Sequence, residues 1–575
     1  MRLARAEYSV EQGKPIIYLF CREGNKRTLT KVSDFVPYFY CLEAEKNNVK
    51  GIRTDPSTYY SLHGEPVRKL YVTLPSDVPE LREKYSHTFE ADILYPIRWM
   101  IDEVDSLEPI TPKILFLDIE TDNSGRVPDV ILAQEDVICV TCYCDSIYTT
   151  FVFRHDLSPG ISHQSFDGSL HEIRYFKREE KLLEGLLKYI KEEDSDIICG
   201  WNSNRFDLPY LINRMKRLNI DYNELSPMKS VYLRETHELV KGQGVIIKGL
   251  AVIDLYDLYR RMTIQQHGQE ESYKLDFIGQ KVVGIGKTES GANIKWLWNN
   301  NLERLVRYNA NDCQIMVKID EKMRLLDFLE ELRRLCFCNL EDCLTASRMT
   351  DSYILRHCHN KKIFPTKTHH EETSFEGAFV GKWAQGIYDN VIAFDLKSLY
   401  PSLIHLFNLS PETILNENDS NDSICINNAH IKKDEKGFLP DVIESLFEER
   451  EKYKTLMKNE HINSGNWNIY NTRQYALKTL LNALYGQTAY SNSRFYSPKI
   501  AEITTYLGRK IIIWSKDFLE SIGYKVLYCD TDSLFWEYGD DKIDFAQIEF
   551  VRNLLNDSYK DFIKQFNLTI YNATT

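Results

Sequence analysis

Short apolar runs separated by turn residues fill the first hundred or so positions of the chain. Pro15-Ile-Ile-Tyr-Leu-Phe20 is one and Val36-Pro-Tyr-Phe-Tyr-Cys-Leu42 another, and such runs predict strands. Lys113-Ile-Leu-Phe-Leu-Asp-Ile-Glu120 is an apolar run broken by acids at its C-terminal end, the end where ligands gather in α/β folds. Helical patterning follows over Arg178–Glu193, then a strand over Asp196–Trp201. A long helical tract runs from Leu302 to about Leu335. From residue 390 the order is strand, helix and a charged helical hairpin. Two apolar runs, Val526–Tyr528 and Leu534–Trp536, then flank a short polar core, which predicts two strands joined by a tight turn. Asn416–Asp422 is polar and reads as a loop, and Asn567–Thr575 opens as a strand.

Composition sets the scale. With 575 residues, 43% of them hydrophobic, the chain is long enough for roughly two to four domains. No run approaches the ~18 apolar residues of a membrane span, and Met1–Tyr8 lacks the apolar stretch of a signal peptide. The 13 cysteines are scattered and read as reduced thiols of an intracellular protein. Cys139, Cys142 and Cys144, like Cys336, Cys338 and Cys343, lack zinc spacing and read as core residues. His357, His359, His369, His370 and Cys358 read as structural as well. A net charge of −13 weighs against a nucleic-acid binder. Clustered functional carboxylates and an acidic outer surface can nevertheless hide a basic groove.

The carboxylates form two sets. Asp118 and Glu120 are i and i+2 on a strand, so they share a face and can share a metal. Asp207 follows in Gly200-Trp-Asn-Ser-Asn-Arg-Phe-Asp, and Asp312 in Tyr308-Asn-Ala-Asn-Asp, where Tyr308 and Asp312 are helical i, i+4 neighbours. Four acids with a tyrosine to orient water suit two-metal phosphodiester hydrolysis. The second set is Asp395, at the end of Asn390-Val-Ile-Ala-Phe-Asp, with Asp530 and Asp532 in the turn of the last hairpin. Carboxylate-held Mg²⁺ completed by substrate phosphates is the usual arrangement for triphosphate chemistry. Lys478, Asn482 and Tyr485 fall on one helix face at i, i+4 and i+7; Lys478 offers positive charge for a triphosphate, and Gly486 leaves room for a base pair. Arg450 and Lys454 are another i, i+4 pair, on a charged helix.

Together these stretches resemble the family B (α-like) DNA polymerases of archaeal type. Phe116-Leu-Asp-Ile-Glu-Thr121, Asn202 to Asp207 and Tyr308 to Asp312 look like that family's three exonuclease motifs. Asp395-Leu-Lys-Ser-Leu-Tyr-Pro-Ser402, Lys478-Thr-Leu-Leu-Asn-Ala-Leu-Tyr-Gly486 and Tyr528-Cys-Asp-Thr-Asp-Ser533 look like its polymerase motifs. The resemblance implies a multidomain α+β and α/β protein. A β-rich N-terminal domain would take 1–107 with 325–365, and an RNase H-like 3′-5′ exonuclease domain 108–324. A palm with an antiparallel sheet would take 366–443 with 495–575, and helical-hairpin fingers 444–494.

The resemblance also implies residue roles. Asp118, Glu120, Asp207 and Asp312 would hold the exonuclease metals, with Tyr308 assisting the water. Asp395, Asp532 and Leu396 would hold the polymerase metals, with Asp530 close by. Tyr400 would be the steric gate against a ribose 2′-hydroxyl. Leu399, Arg450, Lys454, Lys478, Asn482 and Tyr485 would contact the incoming nucleotide. The cofactor would be Mg²⁺, two per site, replaceable by Mn²⁺. Phe375-Glu-Gly-Ala378 resembles the linker that touches template DNA through Gly377 and Ala378, with Phe375 where the family has Tyr. Tyr8, Pro37, Tyr38, Val78, Ile93 and Arg98 match a pocket for template uracil, with Leu94 in place of a proline.

The implied activity is template-directed DNA synthesis with proofreading by a cytoplasmic enzyme of archaeal or viral origin. Primer–template DNA and dNTPs would be its partners. The alternatives are an exonuclease with a structural polymerase half and a non-enzymatic replication scaffold. Only 43 residues follow Asp532, and no thumb-like segment is among them. A split polymerase is therefore expected, with a second polypeptide carrying the thumb and offering a route to a sliding clamp. If the uracil pocket functions, a uracil placed in the template ahead of the primer stalls extension in a primer-extension assay; read-through at the normal rate would rule the pocket out.

Overall fold

The computed structural model describes residues 1–122, 128–235, 243–287, 293–415, 423–539 and 542–566. The expected loop at 416–422 and the expected strand at 567–575 lie outside the described residues. The chain forms two compact units, Met1–Val36 with Leu94–Thr345 and Pro37–Ile93 with Ala346–Thr575. This division cuts the expected N-terminal domain between residues 36 and 37.

The first unit opens with an antiparallel three-stranded sheet, Leu3–Glu11, Lys14–Glu23 and Lys26–Val32. Its main body is a seven-stranded mixed sheet. The order is Gly160–Phe166, Ser169–Phe176, Ile147–Phe153, Val137–Cys144, Ile114–Thr121, Ile197–Gly200 and Ala251–Asp254. The last three run parallel, and Val137–Cys144 is antiparallel to Ile114–Thr121. Leu115, Leu117 and Ile119 of the central strand enter the core, leaving Asp118 and Glu120 on the alternate, largely buried positions as strand periodicity requires. Cys139, Cys142 and Cys144 are buried. Helix Glu179–Glu193 buries Leu182, Leu183, Leu186, Leu187 and Ile190, the stripe of an amphipathic helix.

The expected helical tract from Leu302 is two helices, Leu302–Met323 and Leu325–Cys336. Arg324 breaks it with a left-handed φ of 53°. The aliphatic periodicity is continuous across this point, so the pattern alone carries no break. Cys338 consequently lies beyond the helix and Cys343 in the short turn Leu340–Leu344, both buried.

The second unit contains an antiparallel four-stranded sheet ordered Val380–Lys382, Lys525–Asp530, Ser533–Glu537 and Val391–Asp395. Behind it Trp536, Val526, Cys529 and Leu534 pack with Ile512 and Leu519 of helix Pro498–Ser521. Helices Phe438–Lys458 and Gly465–Ala489 pack together as the charged helical hairpin. A three-stranded sheet of Ile414–Leu415, Ala429–Lys432 and Ser423–Ile426 precedes them. Its strands are two to four residues long, too short for a periodic signal.

Arg494 holds distant parts of this unit together. Its side chain is fully buried and ion-pairs with Asp92 at 2.7 Å and Asp351 at 2.5 Å, and it donates to the Pro365 carbonyl oxygen at 2.8 Å. Lys367 adds a second cation 2.7 Å from Asp351, and with Arg494 it holds the Asp351 carboxyl below its usual range despite burial. Removing one member of a buried ion cluster leaves uncompensated charge and costs about 3–5 kcal/mol. Arg494→Met is expected to destabilise the protein by that amount, read as a lower midpoint in chemical denaturation.

Candidate functional site

In the first unit the strand Ile114–Thr121 carries Asp118 and Glu120 on one face of the sheet. Asp207 is the first residue of helix Asp207–Arg217, where free backbone N–H groups favour a carboxylate. Its Oδ1 accepts the Ile119 N–H at 3.2 Å, which locks the helix end to the strand. The turn before it is shaped by Asp254, whose carboxylate accepts the N–H groups of Asn202 at 2.8 Å and Asn204 at 3.2 Å. Helix Leu302–Met323 supplies Tyr308 and Asp312, both buried.

Asp118, Glu120 and Asp312 each offer an oxygen, all within 4.8 Å of one another. Burial and mutual repulsion raise their pKa values and make them weaker acids than free carboxyls. Glu120 is pushed up to about 8 by burial and then by Asp312. Asp207 is pushed up to about 7, mainly by burial. Asp118 is driven well above its ordinary value by burial and then by Asp312. An all-oxygen donor set of this kind fits a hard divalent cation.

Two residues of this cluster carry no signal of their own in the sequence. The Lys287 ammonium lies 2.5 Å from Asp312 Oδ2 and donates to the Tyr308 hydroxyl at 3.1 Å. Asn309 donates to Asp118 Oδ2 at 2.6 Å. Asn309 sits inside the Tyr308–Asp312 stretch, so its position between the two was the available clue. Lys287 comes from a connecting segment between helices, where no periodicity points to it.

In the second unit Asp395 pairs in register with Ser533 across two neighbouring strands, and Ser533 Oγ donates to Asp395 Oδ1 at 3.2 Å. The turn Thr531–Asp532 joins strands Lys525–Asp530 and Ser533–Glu537, and Asp530 faces Ser533 across it. Thr531 has a φ of 55°, strained for a β-branched residue. It is held by its N–H to the Phe379 carbonyl at 3.0 Å. The Asp532 carbonyl accepts the Leu396 N–H at 2.8 Å, which ties the two acid-bearing segments together. Burial, then the neighbouring Asp395 and Asp530, raises the Asp532 carboxyl. Asp530 is exposed and bonds locally, accepting from the Thr531 hydroxyl at 3.0 Å and the Tyr528 hydroxyl at 3.3 Å.

Cations gather on the helical hairpin. Arg450 is buried, and its Nε has no hydrogen-bond partner among the described residues. Burial lowers its pKa. Lys454 is lowered by burial, then by Arg450 and Lys397. Glu451 partly balances the group, with Lys397 at 2.6 Å and Lys454 at 3.3 Å from one carboxylate oxygen. Lys478 and Asn482 are exposed on helix Gly465–Ala489. On the same helix Tyr485 packs against Tyr400 with ring centroids 4.5 Å apart. A Cβ at Gly486 would meet nothing within 4 Å, so the protein's own packing does not require that glycine. Leu399 is buried beneath Tyr400 in helix Leu399–Leu406.

The linker is anchored from helix Pro498–Ser521. Arg509 donates to the Glu376 and Gly377 carbonyl oxygens, each at 2.7 Å, and Thr505 donates to that of Glu376 at 2.8 Å. Gly377 and Ala378 are exposed beside these anchors. The six residues matched to a uracil pocket divide between the units: Tyr8 and Arg98 in the first, Pro37, Tyr38, Val78 and Ile93 in the second. Within the first unit Arg98 pairs with Asp102 at 3.1 Å. Within the second, Tyr38 packs edge-on to Tyr40 with Lys69 over its ring.

The comparisons with known proteins agree with this arrangement. Residues 343–570 match the model of DNA polymerase family B, and residues 69–278 match that family's exonuclease domain. DNA polymerase 1 of Pyrococcus abyssi is 28% identical over 574 residues, covering 92% of this chain and 70% of that protein. The DNA polymerase of Archaeoglobus fulgidus is 28% identical over 93% of this chain and 70% of its own length. The solved family B DNA polymerase of Pyrobaculum calidifontis superposes with a TM-score of 0.78 at 23% identity, over 97% of this chain and 76% of that one, which shows a shared fold. The two family matches span Asp118, Glu120 and Asp207 and then Asp395, Asp530 and Asp532, in chain order, and the chain belongs to the family B DNA polymerases.

Proposed function

We propose that the second unit extends a DNA primer on a template and that the first removes 3′-terminal nucleotides. One observation carries this reading. Asp395 and Asp532 stand together on one antiparallel sheet, while Arg450, Lys454 and Lys478 on the adjoining hairpin offer more positive charge than the nearby Glu451 balances. Such a row of cations suits a triphosphate.

Asp395, Asp532 and the Leu396 backbone would hold divalent cations, Mg²⁺ in this proposal. Asp118, Glu120, Asp207 and Asp312 would hold a second pair. Cations so held supply Lewis-acid activation of the primer hydroxyl or of water and balance charge on phosphate oxygens. Arg450, Lys454, Lys478 and Asn482 bind and orient the triphosphate, which places its α-phosphorus for attack. The Tyr400 ring, braced by Tyr485, fills the volume a ribose 2′-hydroxyl would need. In the first unit Tyr308 orients the attacking water. Lys287 balances the carboxylates until substrate and cations enter. Exposed Gly377 and Ala378 contact the template strand. The exposed face of the hairpin helices and sheet is the DNA-binding side, and dNTPs are the substrates. No described helix is long and apolar enough to cross a membrane.

Two experiments test this reading. Asp532→Ala is expected to abolish primer extension and leave 3′ degradation, and Asp118→Ala to do the reverse; a loss of both activities in either variant would contradict two separate sites. The raised carboxyls of the first unit must lose protons to take a cation, so its affinity rises with pH through the range from about 7 to about 8 set by Asp207 and Glu120. Calorimetric titration of the metal-free protein with Mg²⁺ at pH 7, in two buffers of different ionisation heat, should register proton release, diminished in Glu120→Gln.

A further inference from the structure

Glycine is the poorest non-proline residue for a helix interior, yet Gly508 lies buried in the middle of helix Pro498–Ser521. Its backbone is ordinary right-handed helix, so conformational freedom is not what the position needs. The neighbours supply the reason. A Cβ at Gly508 would stand 3.0 Å from Tyr400 Cε1 and 3.7 Å from Leu399 Cδ2. The same Tyr400 ring packs on Tyr485 with centroids 4.5 Å apart and planes inclined by 40°. Tyr400 is therefore fixed by two helices, through a ring contact from Gly465–Ala489 and through a missing side chain on Pro498–Ser521. The second helix is itself fixed, because Arg509 and Thr505 are bonded to the Glu376 and Gly377 carbonyls.

We propose that Gly508 is a positioning residue for sugar selection. Its empty side-chain site is the slot in which the Tyr400 ring rests, and the depth of that slot sets how closely the ring approaches C2′ of the incoming nucleotide. The inference rests on the reading of Tyr400 as the steric gate and deepens it. A methyl group at 508 forces the ring outward by a few tenths of an ångström, off helix Pro498–Ser521 and toward the sugar. Substrate discrimination follows the ratio of kcat/KM values and responds to displacements of this size.

The test is steady-state primer extension with a dNTP and the matching rNTP on four proteins: the unaltered chain, Gly508→Ala, Tyr400→Ala and the double variant. Gly508→Ala is expected to raise the dNTP KM about tenfold with kcat nearly unchanged, and to lower rNTP efficiency further still. In the Tyr400→Ala background the same substitution should change neither nucleotide's kinetics, because the methyl occupies space the ring has left; that non-additivity isolates the contact. A merely structural effect of Gly508→Ala would reduce dNTP and rNTP efficiency by the same factor in both backgrounds, and that result overturns the proposal. If Gly508→Ala alone unfolds at lower temperature, recovery of the unfolding midpoint in the double variant supports the contact, and no recovery overturns it. If Tyr400→Ala fails to raise rNTP incorporation, the gate assignment falls and this inference with it, a result distinct from an intact gate that Gly508→Ala does not move.

Discussion

Like charges held close together are the constraint around which both units are built. Carboxylates repel, and burial strengthens the repulsion. A fold that keeps three of them within 4.8 Å has to supply the restraint from elsewhere. In the first unit the restraint is a helix N-terminus under Asp207, the Asn309 amide on Asp118 and the Lys287 ammonium on Asp312. In the second it is hydrogen-bond register: Asp395 cannot leave Ser533 without unzipping two strands, and Asp532 is pinned by a turn whose own backbone is strained. Each acid is thus preorganised at the expense of local stability, the usual condition of a site that binds cations.

The two sites handle positive charge differently. The first carries one lysine inside the carboxylate cluster, so its apo state is partly neutralised. The second keeps its acids on the sheet and its cations on the helical hairpin, with Glu451 shared between Lys397 and Lys454. That separation puts negative charge at the sheet and positive charge on the hairpin. It also explains how a chain of net charge −13 offers favourable ground to a polyanion: the relevant field is local, and the net charge does not describe it.

Periodicity made the acid sets legible. Asp118 and Glu120 alternate with core residues, Tyr308 and Asp312 are one helical turn apart, and Asp530 and Asp532 sit between two apolar runs. Those are short-range patterns, and the structure realises each of them. What escaped was non-local or aperiodic. Lys287 arrives from a connecting segment, and Gly508 matters through a ring more than a hundred positions away. The strands at 414–432 are too short to alternate, and Arg324 interrupts a helical pattern that continues on both sides. The residues matched to a uracil pocket are divided between two units, which no local pattern reveals.

The interleaving of the units has a consequence for synthesis. Residues 37–93 pack with the segment that begins at 346, and Asp92 meets Arg494. At a translation rate of ~5–20 residues per second, the early segment waits roughly ten to fifty seconds for its partners to emerge. During that interval Phe39, Leu70 and Val72 can already pack with Tyr85 and Ala91 of the same segment, but the Asp92 carboxylate has no arginine. The first unit is complete once residue 345 has left the ribosome, so the nascent chain acquires its nuclease half before its polymerase half.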